Sequence, residues 1–296
     1  MKSGIVSIIG RANVGKSTLL NALIGEKISI VSKRPSTTRF KIIGTKTTDD
    51  YQILFFDTPG FDEPKTQLDK TLISNIFSAI QEADIIFFII ESKGWTNKDE
   101  QIFQNIKRLK NKPIILGINK IDLLVNYKNI LPIINESTTK FEFSDIIPFS
   151  ALKKNNIVEI EKSIIKYLTE GEIILPKDEI TSLPQEYEIG EIIREKVFEV
   201  TYQEVPHSVA VELQDIQKGK KNSDMLVITA NIIVEKPNQR KIVIGENGEK
   251  IKSIGIKARE ELELFTGKKI YLQLNIKVIE DWRNRPDVYR RFGYMK

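Results

Sequence analysis

Short apolar, mostly β-branched runs alternate with amphipathic stretches over the first 170 positions of the chain. The runs are Ile5–Ile9, Lys41–Thr47, Gln52–Phe56, Ile85–Ile90, Ile114–Ile118 and Asp145–Phe149. Each is strand-length, and several are apolar almost throughout, the pattern of strands covered on both faces. Between them, apolar residues recur at helical spacing around Ser17–Ile24, Asp69–Glu82, Lys98–Lys110, Asn129–Lys140 and Asn156–Leu168. This alternation predicts an α/β domain with a mostly parallel sheet, whose ligands sit beyond the carboxyl ends of the strands. Residues 171–185, with Gly171, Pro176 and Pro184, read as a linker. The rhythm then changes. A helix over Glu188–Gln203, paired strands over Ser208–Gln217 and Met225–Lys236, a helix over Glu249–Leu264 and a strand over Lys269–Ile279 predict a small α+β domain. The expected organisation is residues 1–170, a linker 171–185, a second domain 186–282 and a basic tail 283–296.

The chain has 296 residues, 41% hydrophobic and 29% charged, which suits a soluble protein of two domains. It contains no cysteine, which excludes a disulfide frame and a thiolate metal site. The opening MKSGIVSIIG turns polar at Arg11, too soon for a signal-peptide core or a membrane span, so the expected location is cytoplasmic. Net charge is +5 and unevenly placed. Ile173–Asp215 carries 3 basic and 10 acidic residues, Ile216–Arg259 carries 10 and 4, and Arg283–Lys296 carries 5 and 1. Basic surface concentrated in this way is the footprint of a phosphate-backbone partner, with a solvated lysine-rich helix face as the plain alternative.

Four segments, each following a predicted strand, carry the chemistry. Gly10-Arg11-Ala12-Asn13-Val14-Gly15-Lys16-Ser17 fits GxxxxGK[ST] and opens a helix, with Thr18 next in the same site. Its glycines let the backbone curl so that N–H groups converge on phosphate oxygens. Lys16 brings a charge to the β and γ phosphates, and Ser17 a hydroxyl to Mg²⁺. Asp57-Thr58-Pro59-Gly60 places a carboxylate where it holds Mg²⁺ through water, and a Gly60 N–H that only a triphosphate reaches. Asn119-Lys120-Ile121-Asp122 offers a carboxylate to guanine N1–H and the 2-amino group, which adenine does not match. Ser150-Ala151-Leu152 offers a backbone N–H to guanine O6. Between the first two segments, Thr38, favoured over Thr37, is placed to reach Mg²⁺ when a γ-phosphate is present.

In order, these are the five guanine-nucleotide motifs of a translation-factor-like GTPase, and nearly the whole chain resembles the Era family of ribosome-assembly GTPases. The resemblance rests on GRANVGKSTLLNAL, PSTTR, FFDTPGF, NKID and the later block Val243-Ile244-Gly245-Glu246-Asn247-Gly248-Glu249-Lys250-Ile251-Lys252. That block is similar to the GxxG segment of a type II KH domain, which assigns Gly245, Glu246, Asn247, Gly248, Lys250 and Lys252 to RNA contact. The resemblance implies a Ras-like P-loop GTPase domain that takes GTP and GDP with Mg²⁺, joined to a KH domain for the 3′ end of 16S ribosomal RNA. It implies a role in small-subunit maturation, a monomer, and peripheral contact with the inner face of the cell membrane. Two departures from the family pattern stand out: Ala12 stands where proline is usual, and Glu246 and Asn247 fill a GxxG interior that usually carries lysine or glycine.

Phe61 follows DTPG where many small GTPases place a water-orienting glutamine, so slow intrinsic hydrolysis is expected. Lys16, Gly60 and Asn13 form the expected catalytic set. Asn13 has two readings: related GTPases use it to hold K⁺, or it braces the loop. His207 is assigned to a turn or the core, and Trp95 and Trp282 to packing. A GTPase serving an RNA-modifying enzyme would need a further catalytic domain or a reactive cysteine. A structural RNA binder with a dead nucleotide domain conflicts with intact Lys16, Asp57 and Asp122. A double-G-domain relative is excluded, because NKxD occurs once.

Overall fold

The computed structural model describes residues 1–31, 38–40, 42–61, 63–108, 111–177, 179–181, 183–201, 205–219 and 224–295. The chain divides into two compact units, one of Met1–Val31, Thr38–Glu63 and Leu72–Ser182, the other containing Pro64–Thr71 and Leu183–Lys296.

The first unit is built on β1 (Lys2–Ile9), β2 (Ile42–Thr47), β3 (Tyr51–Asp57), β4 (Ile85–Glu91), β5 (Ile114–Asn119), β6 (Asp145–Pro148) and the short β7 (Thr169–Glu170). The order is β2-β3-β1-β4-β5-β6, with β7 antiparallel to the start of β1. All other pairs are parallel except β2 with β3. Every residue of β4 is buried, as its unbroken apolar run requires of a central strand. Helices α1 (Lys16–Ile24), α2 (Gln67–Glu82), α3 (Asn97–Ile106), α4 (Ile130–Lys140) and α5 (Ile157–Tyr167) connect the strands. Ile86, Phe88 and Ile90 pack with Ile76 and Ile80 of α2, Ile102, Phe103 and Ile106 of α3 and Ile133 of α4. A capping box of Thr96 and Asp99 starts α3. Gly25, in the left-handed region at φ 91°, ends α1 and turns the chain back. Residues 171–177 and 179–181 run along this unit, tied by Gln52 to the backbone of Ile174 and Leu175 and by Thr45 N–H to Ile180 O.

The second unit follows the order α6 (Gln185–Val200), α7 (Val205–Ser208), β8 (Ala210–Lys218), β9 (Met225–Val234), α8 (Pro237–Ile244), α9 (Glu249–Thr266), β10 (Lys269–Val278) and α10 (Pro286–Arg291). Its sheet runs β10-β9-β8, with β9 parallel to β10 and antiparallel to β8. Ile193 and Val197 of α6, Ile228 and Ile232 of β9, and Ile254 and Leu262 of α9 form its centre. Leaving aside α7 and α10, the succession α-β-β-α-α-β is that of a type II KH domain. The expected helix over Lys98–Lys110 stops at Ile106, and the one over Glu188–Gln203 is Gln185–Val200. Gln203 lies outside the described residues, and His207 falls within α7. Trp95 and Trp282 do pack: Trp95 against Phe88 and Phe103, Trp282 fully buried against Phe292 and Tyr294.

Candidate functional site

Five adjacent strands end on one edge of the first sheet, and each delivers one part of the site. The phosphate loop follows β1, Asp57 closes β3, Glu91 closes β4, Asn119 closes β5 and Ser150 follows β6. Asn13 at φ 65° and Gly15 at φ 101° bend the loop, and α1 then begins at Lys16 with no side-chain cap on its first amides. Uncapped first-turn N–H groups and the helix dipole together favour an anion. Lys16 is 6% exposed, its ammonium held inside the loop at 3.1 Å from the carbonyls of Gly10 and Arg11. Gly15 has no room for a side chain, because a Cβ there would lie 2.3 Å from Asn119 Nδ2.

Asn119 joins three of the motifs. Its amide donates to Val14 O at 2.7 Å, while its Oδ1 accepts from Ala151 N–H at 3.0 Å and from Lys120 N–H at 2.7 Å. Ala151 N–H is thus a donor that an arriving guanine O6 must share or take over. Ser150 Oγ donates to Asp122 Oδ1 and so orients the carboxylate expected to read the base. Lys120, at φ 66°, turns its ammonium to Asn13 O at 2.7 Å and to Glu91.

Arg11 points away from the phosphate position. Its guanidinium pairs with Glu91 at 3.0 Å and with the buried Asp99 of α3 at 3.3 Å. Burial pushes the Glu91 carboxyl up, but the bonds from Lys120 and Arg11 outweigh it and hold Glu91 below its ordinary value. Glu91 and Asp99 thus brace the loop from behind, a role the sequence reading missed. The available signal was a lone acidic residue ending an apolar strand, as Asp57 does two strands away.

Asp57 is fully buried, and burial raises its carboxyl above the ordinary value despite Lys16 and three hydroxyls nearby. Oδ2 accepts from Ser17 Oγ at 2.6 Å and from Ser29 Oγ at 2.8 Å, whereas Oδ1 has no hydrogen-bond partner among the described residues. Thr38 Oγ1 lies 2.9 Å from Ser17 Oγ, and Thr37 lies outside the described residues. A dry carboxylate with one open oxygen beside two hydroxyls is a fitting hard-oxygen set for Mg²⁺. Gly60 lies against the loop, where a Cβ would meet Ala12 Cα at 2.7 Å, and Phe61 N–H reaches Gly10 O at 3.3 Å. The Phe61 ring packs edge-on against Phe77 at 5.8 Å and offers nothing to orient a water.

In the second unit, Gly245 at φ 75°, Asn247 at φ 49° and Gly248 at φ 80° make the tight turn between α8 and α9. A Cβ on Gly245 would lie 2.7 Å from Lys250 Cγ, so the backbone there requires glycine twice over. Glu246, Asn247 and Lys252 are exposed and Lys250 is half-buried.

Fold and site define a guanine-nucleotide-binding P-loop GTPase domain followed by a KH domain. Residues 5–120 match the family described as 50S ribosome-binding GTPase, and residues 204–283 match the KH domain family. The chain is 47% identical to the GTPase Era of Aquifex aeolicus (strain VF5), over 99% of each. It superposes with a TM-score of 0.98 on Era in complex with MgGDPNP and nucleotides 1506–1542 of 16S ribosomal RNA, at 46% identity and covering 100% of both chains. A variant of Aquifex aeolicus Era bound to GDP and AlF4⁻ is matched with a TM-score of 0.97, also at 46% identity and full coverage. The chain belongs to the Era family of GTPases.

Proposed function

We propose that this chain is a GTP-hydrolysing switch that binds small-subunit (16S) ribosomal RNA near its 3′ end and assists maturation of the small ribosomal subunit. The observation that carries the reading is the pairing, in one chain, of a complete guanine-nucleotide site with a glycine-turned loop between two helices of a KH fold. Support comes from the full-length likeness to an Era structure that holds nucleotides 1506–1542 of 16S ribosomal RNA.

Hydrolysis of GTP depends on positioning and charge neutralisation. The loop amides and Lys16 take the phosphate oxygens, and Asp122, set by Ser150, selects guanine. Mg²⁺ would neutralise charge developing on the phosphate oxygens. Ser17, Asp57 and Thr38 are the residues that would hold it. Gly60 N–H meets the γ-phosphate, so its present contact with Ala12 and that of Thr38 with Ser17 are the ones that exchange between nucleotide states. Asn13 is assigned to K⁺, which would supply positive charge beside the phosphates, while Phe61 offers no group to orient the attacking water. The cytoplasm is the place of action. No helix among the described residues is long and apolar enough to cross a membrane, and peripheral membrane contact rests on the family resemblance alone.

The test is crosslinking in cells, followed by sequencing of the attached RNA, together with titration of a 16S 3′-end fragment against the protein with a non-hydrolysable GTP analogue or GDP. Enrichment of the 3′ end and tighter binding with the analogue are expected. Reads spread evenly over ribosomal RNA, with equal affinity in both nucleotide states, would overturn the reading.

A further inference from the structure

We propose that Ser29, held in place by Asn21, is a positioning residue that fixes the orientation of the metal-holding carboxylate of Asp57. The proposal rests on the reading of Asp57 as a Mg²⁺ residue and adds a group that none of the nucleotide motifs contains. Over residues 26–31 the chain has no helix or strand to guide it, yet one side chain of α1 fastens it. Asn21 Nδ2 donates to Ser29 O at 2.8 Å, and Asn21 Oδ1 accepts from Ile28 N–H at 3.0 Å and Ser29 N–H at 2.9 Å. One amide thus satisfies three backbone groups, as a neighbouring strand would. The segment it holds is buried, with Ser29 2% exposed.

The result is directional. The carboxylate torsion of aspartate is a broad, shallow well, so hydrogen bonds decide which oxygen faces a ligand. Ser17 and Ser29 approach Asp57 Oδ2 from separate segments, at 2.6 and 2.8 Å, and both donate to it. Oδ1 is left as the oxygen for a metal-bound water. Ser17 and Thr38 have metal duties of their own, and Thr38 belongs to the segment expected to move with the nucleotide. Ser29 has no such duty, so its bond to Oδ2 persists through the cycle and keeps the carboxylate aimed. Groups that orient a metal ligand typically change metal affinity or activity by about 10-fold or more when removed.

The experiment uses the full chain loaded with a fluorescent GDP, measuring its release as a function of Mg²⁺ and again in EDTA. Ser29→Ala is expected to raise the Mg²⁺ concentration for half-maximal retention by about 10-fold, with release in EDTA unchanged. Ser29→Thr, which keeps the hydroxyl, is expected to restore most of it. A purely structural role would speed release equally with and without Mg²⁺, and that result overturns the proposal, as does an unchanged Mg²⁺ dependence in Ser29→Ala. Asp57→Asn and Ser17→Ala run alongside. If they too leave the Mg²⁺ dependence unchanged, the metal reading itself fails; if they shift it and Ser29→Ala does not, only the role of Ser29 fails. If Ser29→Ala does not fold, Ser29→Cys, a weaker donor of similar size, is expected to give an intermediate shift, and none overturns the proposal.

Discussion

Replacing Asn119 with alanine tests whether the base-reading and phosphate-binding halves of the site are one mechanical unit. Asn119 is 2% exposed, and its amide bonds Val14 O, Ala151 N–H and Lys120 N–H. Val14 and Ala151 are themselves 0% and 3% exposed, so neither orphaned group reaches bulk water. A buried polar group left without a partner costs about 1–3 kcal/mol. Two such groups give roughly 2–6 kcal/mol, lowered toward ~3 if a water enters the vacated volume. For a domain of this size, ~3 kcal/mol corresponds to a fall in melting temperature of about 6–12 °C. Thermal denaturation of the nucleotide-free protein reads that quantity. Affinity for GDP should also drop, by about 10-fold for each ~1.4 kcal/mol of loop disorder. The drop should be larger for GDP than for guanosine, since the broken tie to Val14 lies in the phosphate loop. A melting temperature within about 2 °C of wild type, with unchanged GDP affinity, would refute the reasoning. Equal losses for GDP and guanosine would refute the link between the two halves.

Asp122→Asn is expected to shift base preference from guanine toward xanthine, because an amide donates where the carboxylate accepted; competition binding with XTP and GTP checks it. Hydrolysis is expected to be faster in K⁺ than in Na⁺ at matched ionic strength, and Asn13→Ala should remove the difference in a phosphate-release assay. Glu91→Gln should lower stability by roughly 2 kcal/mol at neutral pH. Glu91 is held below its ordinary value of 4.5, so its contribution is present above that pH and is lost as pH falls through the depressed folded-state value. The melting-temperature gap between wild type and variant should therefore close in acid. Glu246→Lys is expected to tighten binding of a 16S 3′-end fragment and steepen its salt dependence by about one phosphate contact, without changing hydrolysis in the absence of RNA.

Much of this could be read from the chain because local chemistry was enough. The β4 and β5 runs have no polar interruption and can only be central strands, and the phosphate loop and NKID carry their function in consecutive residues. What escaped depends on residues brought together from afar. Asn21 lies in the LLNAL stretch after the phosphate loop, where its spacing does not show that it ties residues 28 and 29, and Ser29 is an ordinary loop serine until folding sets it 2.8 Å from Asp57. Arg11 stands inside the phosphate loop, yet its guanidinium pairs with Glu91 and Asp99 behind the loop. The short α8 begins at a proline and has little apolar periodicity. The basic count over 283–296 does not show which of those charges are paired. Arg283 pairs with Glu235 and Arg291 with Glu212, while Tyr289, Phe292 and Tyr294 are buried. That segment carries helix α10, and those two arginines are engaged within the unit.

The site is braced unequally, and the inequality suits a switch. On the guanine side, Asn119, Lys120, Glu91, Arg11 and Asp99 tie β4, β5 and α3 to the back of the phosphate loop through buried or charged bonds. On the γ-phosphate side, the ties among the described residues include the hydroxyl pair of Ser17 and Thr38, the bond from Thr58 Oγ1 to Ile8 O and one long bond from Phe61 N–H to Gly10 O. A ligand shifts an equilibrium only through contacts that differ between the two states. On the proposed reading, GDP and GTP make the same contacts with the braced side, which then sets affinity and base choice. On that reading, the difference falls on the groups placed toward the γ-phosphate and its metal, Lys16, Thr38 and Gly60. Gly60 fits that part because its bare backbone can press on Ala12 in one state and reach the γ-phosphate in the other. Substitution at Thr38 should therefore narrow the gap between GTP and GDP behaviour while leaving GDP affinity nearly unchanged, the opposite of the pattern expected for Asn119; any side chain at Gly60 would also press on Ala12 of the phosphate loop and lower GDP affinity too.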